Sequence, residues 1–313
     1  MPLIGSIIIR MQSSLTIGNF DGVHLGHQEL IKRVLDFSAK NKCEPKLITF
    51  EPHPREFLGI RPIPSRICSL KEKKRRINLF GITQVEVLSF DEKFSNQIPL
   101  EFLTWLKKTY NPRHIVVGKN FYFGKNRGGN TKLLKEWGEK ESILIEIVDA
   151  LKINDVTVSS SEVRHQIQEG KILKANGLMG VPLHFDLDVV SGDHRGRSMG
   201  VPTLNSPPPQ NINSSSRFCL PPHGVYITRA HIEGQGYASL TNFGIRPTFH
   251  TSEEGEFFET HLLNCPPKEL SCKSLSVEFL DRIRSEIRFS SKEELLQRIQ
   301  EDIRIAKAFH SLK

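Results

Sequence analysis

The sequence predicts two domains: an α/β domain built on a parallel sheet, followed by a β-barrel that ends in a helix. Three observations carry this expectation. In the first half, β-branched runs alternate with helical patterns, the rhythm of a parallel sheet covered by helices. After Gly170 the texture changes, and from Phe185 onward short strand-like runs alternate with Gly- and Pro-bearing turns, as in a compact barrel. The last stretch places apolar residues at helical spacing behind a serine cap. With 313 residues, the chain is long enough for two cores of ordinary size.

In the first half the strand candidates are Ser6–Ile9, Leu15–Ile17, Lys46–Phe50, Val85–Leu88, His114–Val117 and Ile143–Val148. Leu30, Ile31, Val34 and Leu35 recur at helical spacing, and a second helical pattern runs from Leu100 to Lys108. Met1 to Arg10 lacks a basic start and a cleavage-type end, so it reads as a first strand and not a secretion signal. No apolar run approaches the ~20 residues that span a bilayer, and no membrane partner is expected. Ser159-Ser160-Ser161-Glu162 caps a helix carrying Val163, Ile167 and Ile172, which Gly177, Gly180 and Pro182 then break. The domains are therefore expected at 1–182 and 183–313. Strand candidates in the second half are Phe185–Val190, Gly224–Arg229, Tyr237–Thr241, Phe257–Leu263 and Leu275–Leu280. Ser290 or Ser291, with Glu293 or Glu294, caps a terminal helix expected to bury Leu296, Ile299 and Ile303.

Charged residues at 25% and hydrophobic ones at 38% indicate a folded globular chain. A net charge of +8 favours polyanionic partners, nucleotide phosphates or nucleic acid. The densest basic run, Lys71 to Arg76, follows Ser69 in a capping pattern and is expected to be the solvated face of a short helix. The five cysteines form no C-x-x-C pair, which argues against a zinc site or disulfide framework and for a reducing compartment, the cytoplasm.

The segment Gly18-Asn19-Phe20-Asp21-Gly22-Val23-His24-Leu25-Gly26-His27 joins a strand to an amphipathic helix. A helix start offers unpaired N–H groups and a partial positive charge, and so favours an anion. Glycines let the backbone approach that anion. His24 and His27, three residues apart, would donate to phosphate oxygens. A plain turn with surface histidines is the bland alternative, and the crowding of these residue types after a strand argues against it. Gly192 to Asn205 carries a second glycine-rich segment, with Gly192, Gly196 and Gly200 four residues apart, a spacing that suits a backbone wrap around phosphates. On turn chemistry alone it would be a glycine-rich hairpin.

The run from Gly18 to His27 resembles the ATP-binding signature of the nucleotidyltransferase superfamily, and most closely that of bacterial bifunctional riboflavin kinase/FMN adenylyltransferases. Phe50-Glu51-Pro52-His53-Pro54-Arg55, Val117 to Lys125 and Val158 to Arg164 resemble further segments of that family. Tyr122 stands where the family commonly has Arg, and Ser161 stands for Thr while keeping the hydroxyl. Gly192 to Asn205 resembles the flavokinase signature G-x-x-x-G-R-x-x-G-x-P-T-A-N, with Leu204 for Ala. Pro222 to Tyr226, Thr241 to Thr248 and Phe258 to Asn264 extend the match, with Asn264 in place of Asp. The resemblance covers nearly the whole chain.

It implies a Rossmann-like nucleotidyltransferase domain and a flavokinase barrel, with ATP, riboflavin, FMN and FAD as ligands and Mg²⁺ as the cofactor of both reactions. For adenylyl transfer it assigns His24, His27 and Arg164 to charge stabilisation. Gly18, Phe20, Asp21, Gly22, Gly26, Asn120, Ser159, Ser160 and Ser161 would bind ATP. For the kinase it assigns Gly192, Gly196, Arg197, Gly200, Pro202, Thr203 and Asn205 to ATP, with Thr203 and Asn205 also meeting Mg²⁺. Glu259 would be the base for riboflavin's 5′-hydroxyl. Pro54, Arg55, Asn242 and Arg246 are flavin-binding candidates. The charge leaves an RNA-binding protein on a synthetase-like domain as the rival. A complete flavokinase-like signature, and no Lys-Met-Ser-Lys-Ser-type loop, discriminate against it, and no nucleic-acid partner is expected.

Overall fold

The computed structural model describes residues 11–190, 200–209, 217–247, 254–263 and 272–311. Packing divides the chain into two compact units. One holds the chain up to Pro64 together with Ser69–Ser159, and the other holds Ser65–Cys68 together with the chain from Ser160 onward.

In the first unit the order is β1 (Ser13–Ile17), α1 (Leu25–Asn41), β2 (Glu44–Glu51), α2 (Pro54–Phe57), α3 (Leu70–Leu79), β3 (Gln84–Ser89), α4 (Glu92–Ser95), α5 (Pro99–Tyr110) and β4 (Pro112–Gly118). There follow a small hairpin of β5 (Tyr122–Phe123) and β6 (Gly129–Asn130), then α6 (Thr131–Glu141), β7 (Leu144–Val148), and a second hairpin of β8 (Lys152–Ile153) and β9 (Val156–Thr157). The main sheet runs β3-β2-β1-β4-β7, every pair parallel. β1 is buried at all five positions, as a central strand covered on both faces must be. Leu15 and Ile17 face one core with Ile115, Val117, Leu103 and Trp137. Leu47 and Val116 face the other with Ile31, Val34 and Ile77. The strand order reverses between β1 and β4, and in open parallel sheets ligands bind beyond the carboxyl ends at such a point. The Gly18–His27 segment follows β1 there, and Lys119-Asn120 follows β4. The expected strand at Ser6–Ile9 lies outside the described residues.

In the second unit come α7 (Ser160–Gln168), α8 (Ile172–Met179), β10 (Leu183–Asp188), β11 (Leu204–Ser206), β12 (Gly224–Ile232), β13 (Gln235–Pro247), β14 (Glu254–Leu262), β15 (Ser274–Ser285) and α9 (Lys292–Ser311). The antiparallel sheet runs β10-β15-β12-β13-β14-β11. A bridge between Val190 and Asn205 joins its two edges, so the sheet closes on itself. The rings of Phe185, Tyr226, Phe243, Phe258 and Phe279 pack within it, some stacked and some edge-on. The buried hydroxyls of Thr228, Ser239, Thr241 and Thr260 satisfy one another at 2.8–3.0 Å.

Three details differ from the sequence reading. Ile172 does not continue α7: Gly170, at φ +72°, ends that helix and α8 starts afresh. Packing groups both helices with the barrel, so the expected boundary near 182 coincides with the start of β10, while the compact units part at Ser159/Ser160. The Asn176 side chain explains this: its Nδ2 donates to Phe279 O at 2.8 Å and its Oδ1 accepts from Leu183 N at 2.8 Å. On α9, Ser291 caps Glu294 N as expected, but Leu296, Ile299 and Ile303 are only half-buried. The fully buried positions are Ala306 and Asp302, whose carboxylate accepts from Arg284 Nε and Nη2 at 3.0 and 2.7 Å. A buried carboxylate is tolerated because it is paired.

Candidate functional site

Beyond β1 the backbone makes a tight turn through Phe20 (φ +50°), Gly22 (φ +80°) and Val23 (φ +47°) before α1 begins. Phe20 is sealed in the core and its ring lies 4.8 Å from that of His27. The Asp21 carboxylate is likewise buried, so any ligand contact at these two positions falls to the main chain. His24 is the N-cap of α1, and its Nδ1 accepts from His27 N at 3.3 Å. That places the proton of a neutral His24 on Nε2, a donor. The two imidazoles stack with centroids 3.6 Å apart and planes 17° apart. Gly26 makes room for this: a Cβ there would sit 3.3 Å from the His24 ring. A helix start beside two stacked imidazoles offers main-chain and side-chain N–H donors to one region.

The basic run 71–76 corrects the sequence reading. α3 is capped by Ser69 as expected, yet Glu72, Lys73 and Arg76 are 1–3% exposed and point inward. Arg76 Nη1 donates to Gly22 O at 3.0 Å and its Nε to Glu72 Oε1 at 2.6 Å. Lys73 Nζ donates to Thr49 Oγ1 at 3.4 Å, and that hydroxyl donates to Asn19 O at 3.1 Å. A charged helix turn looks the same in sequence whichever face is covered, and only Ile77, at the i+4 position from Lys73, hints at the buried side.

Asn19 and His53 side chains approach to 3.1 Å, bringing the 50–55 segment beside the first turn. Pro54 opens α2 and Arg55 is exposed. Beside them Phe50, Phe57, Phe90 and Phe94 form a cluster of edge-on and tilted rings with centroids 5.6–5.8 Å apart. Sequence reasoning passed over these rings, although Phe90 and Phe94 stand four residues apart. Asn120 is exposed in the turn after β4. Arg127 lies over the Tyr122 ring at 4.2 Å, a cation beside the substituted position. Ser159 ends the first unit, whereas Ser160, Ser161 and Arg164 belong to the second, where Arg164 Nε donates to Ser65 O at 2.6 Å.

In the second unit, β11 and β13 flank β14 so that Asn205 and Asn242 both stand opposite Glu259. Residues opposite one another share a face, and the three polar groups form a row. Asn242 Nδ2 donates to Glu259 Oε2 at 3.1 Å. The Asn205 side chain is 8% exposed, and its Oδ1 has no hydrogen-bond partner among the described residues. Thr203 is half-buried between buried Pro202 and Leu204. His261 Nδ1 donates to Pro202 O at 2.8 Å, and burial holds that imidazole below the usual histidine range. Gly200 turns at φ +75°. Gly192, Gly196 and Arg197 lie outside the described residues, as does the Arg246 side chain. Asn205 Oδ1, without a hydrogen-bond partner among the described residues, the Glu259 carboxylate opposite it and the Thr203 hydroxyl two residues earlier in the chain are all oxygen donors, the kind that suits a hard divalent cation such as Mg²⁺.

Residues 8–162 match the family described as FAD synthetase, and residues 179–310 match riboflavin kinase. A bifunctional riboflavin kinase/FMN adenylyltransferase of Buchnera aphidicola subsp. Schizaphis graminum is 34% identical, over 97% of this chain and 96% of that relative. Those of Bacillus subtilis and Escherichia coli K12 are 31% and 32% identical, over 93% and 95% of this chain and 90% and 93% of theirs. A Streptococcus pneumoniae crystal structure described as a macrolide-efflux protein superposes with a TM-score of 0.83 at 26% identity, over 95% of this chain and 94% of that one. Among the described residues, no helix here is long and apolar enough to cross a membrane.

Proposed function

The chain belongs to the family of bifunctional riboflavin kinases/FMN adenylyltransferases, and from that premise we propose how its residues divide the two reactions. It phosphorylates riboflavin to FMN and adenylylates FMN to FAD, with ATP as the donor in both steps. The observation that carries the division is that two unlike polar arrangements stand on separate compact units. One is the stacked His24/His27 pair at a helix start, and the other is the Asn205–Glu259–Asn242 row.

In the first unit, a phosphate oxygen of FMN attacks the α-phosphorus of ATP; the new P–O bond forms as the α–β bridging bond breaks and pyrophosphate leaves. The protein contributes position and charge stabilisation more than covalent chemistry. His24 and His27 donate to the phosphate oxygens, and the N–H groups of the turn and of α1 add to them. Ser159 holds phosphate through its hydroxyl, and Asn120 takes a polar contact to the nucleotide. The flavin lies toward Pro54, Arg55 and the Phe57–Phe90 edge.

In the second unit, Glu259 takes the proton of the 5′-hydroxyl as its oxygen attacks the γ-phosphorus and ADP leaves. The Asn242 contact holds that carboxylate in one orientation. Thr203 and Asn205 would hold Mg²⁺ with the ATP phosphates, where the ion neutralises charge on the transferred group. Residues 183–313 bear the kinase groups, and the enzyme works in the reducing cytoplasm, in keeping with the buried thiols of Cys43, Cys68 and Cys219. Incubating the full chain with riboflavin, ATP and Mg²⁺, and separating the flavins over time by chromatography, tests the assignment. FMN is expected first and FAD after it. FMN without FAD would refute the role of the first unit, and no FMN would refute that of the second.

A further inference from the structure

We infer that Arg76 is a positioning residue for adenylyl transfer, holding the Gly18–His27 turn in its working shape. The inference rests on the reading above that this turn handles the phosphates of ATP. Three observations converge on Arg76. Its guanidinium is 1% exposed, and taking such a charge out of water is costly unless every donor is used well. Glu72 satisfies one side of it, whereas the other side goes to the carbonyl of Gly22, inside the turn. That turn passes through left-handed backbone at Phe20, Gly22 and Val23. For Val23, a β-branched residue, this conformation is strained and persists only where the surroundings over-determine it.

The position of His24 follows directly. It is the residue after Val23 and the N-cap of α1. If the Gly22 carbonyl lost its anchor, Gly22 and Val23 would relax toward ordinary backbone, and the His24 imidazole would move with them. Lys73 secures the other side of the same turn through Thr49 and the Asn19 carbonyl. The buried face of α3 is thus a clamp on both ends of the turn, and Arg76 is the member that touches it directly.

A purely structural role, the ion pair with Glu72, is the competing explanation, and the test separates the two. In the full chain, the double variant Arg76→Leu/Glu72→Leu removes both buried charges together, and Arg75, which also bonds to Glu72, is half exposed and keeps its hydration. Arg76→Lys keeps a cation for Glu72 with a shorter reach and no planar fork. Initial rates of FAD formation from supplied FMN are measured against ATP concentration, beside FMN formation from riboflavin in the same preparations. The double variant is expected to keep its kinase rate and thermal midpoint while kcat for FAD formation falls on the order of 10- to 100-fold. Arg76→Lys is expected to lie between it and the wild type. A stable double variant with the wild-type FAD rate overturns the inference. If the double variant fails to fold, Arg76→Lys decides: a lowered FAD rate with an intact kinase rate supports the clamp, and an unchanged FAD rate overturns it. A separate His27→Ala arm tests the reading beneath it: an unchanged FAD rate there would remove the turn from the chemistry, whatever Arg76 does.

Discussion

Replacing Glu259 by Gln removes basicity at one atom and little else. The amide oxygen of the new side chain still accepts from Asn242 Nδ2, which now sits 3.1 Å from Glu259 Oε2. Exchanging a charged acceptor for a neutral one in a single half-buried hydrogen bond changes stability by about 1 kcal/mol or less. The catalytic effect is far larger. Loss of a positioned general base costs about 100- to 10,000-fold, which is about 2.7–5.4 kcal/mol of transition-state stabilisation at ~1.36 kcal/mol per decade. The assay is the initial rate of FMN formation from riboflavin, with FAD formation from supplied FMN as the control in the same chain. Phosphorylation should collapse while adenylylation persists. Thr203→Val is the matched comparison, since it weakens ATP engagement in the same domain without touching the base. Near-normal FMN formation by Glu259→Gln, with Thr203→Val impaired, would show that another group takes the proton. If both variants retained activity, the row would not be the kinase site.

His27→Ala should abolish most FAD formation, by roughly 3–4 kcal/mol as for a lost oxyanion donor, while FMN accumulates; flavin chromatography reads both. A fragment from residue 160 onward should make FMN and no FAD, and should melt higher than the fragment 183–313, which lacks α8 and the Asn176 bonds to Phe279 and Leu183. Equal melting temperatures would count against that packing, and FAD from either fragment against the division of labour. Stability should fall as pH drops from about 7 to about 5, partly through His114. Burial holds this imidazole below its usual pKa, so the unfolded chain binds the extra proton first, and the stability present above the unfolded value is lost as pH falls toward the folded one. In His114→Gln, thermal midpoints should drop less over the same range, and an identical slope would refute the linkage.

The sequence by itself determined what is local. The β-branched runs around Leu15, Leu47 and Ile115 predict strands because their residues fit a buried pleated surface, and Ser69 and Ser291 announce helix starts through bonds to residues three positions on. The turn and helix start of the Gly18–His27 segment were equally legible, because its glycines and the apolar spacing after them lie close together in the chain. Tertiary structure alone decided what depends on distant pairing. β11 is three residues long and carries no strand periodicity of its own, yet its pairing with β14 sets Asn205 opposite Glu259, 54 residues away. The assignment of α8 to the barrel rests on Asn176 meeting Phe279 across 103 residues. The inward face of α3 is the clearest case. Lys71 to Arg76 reads as a solvated charge run because a local pattern records which residues are charged, whereas burial depends on what lies opposite. What lies opposite Arg76 is the carbonyl of Gly22, in a turn 54 residues earlier in the chain.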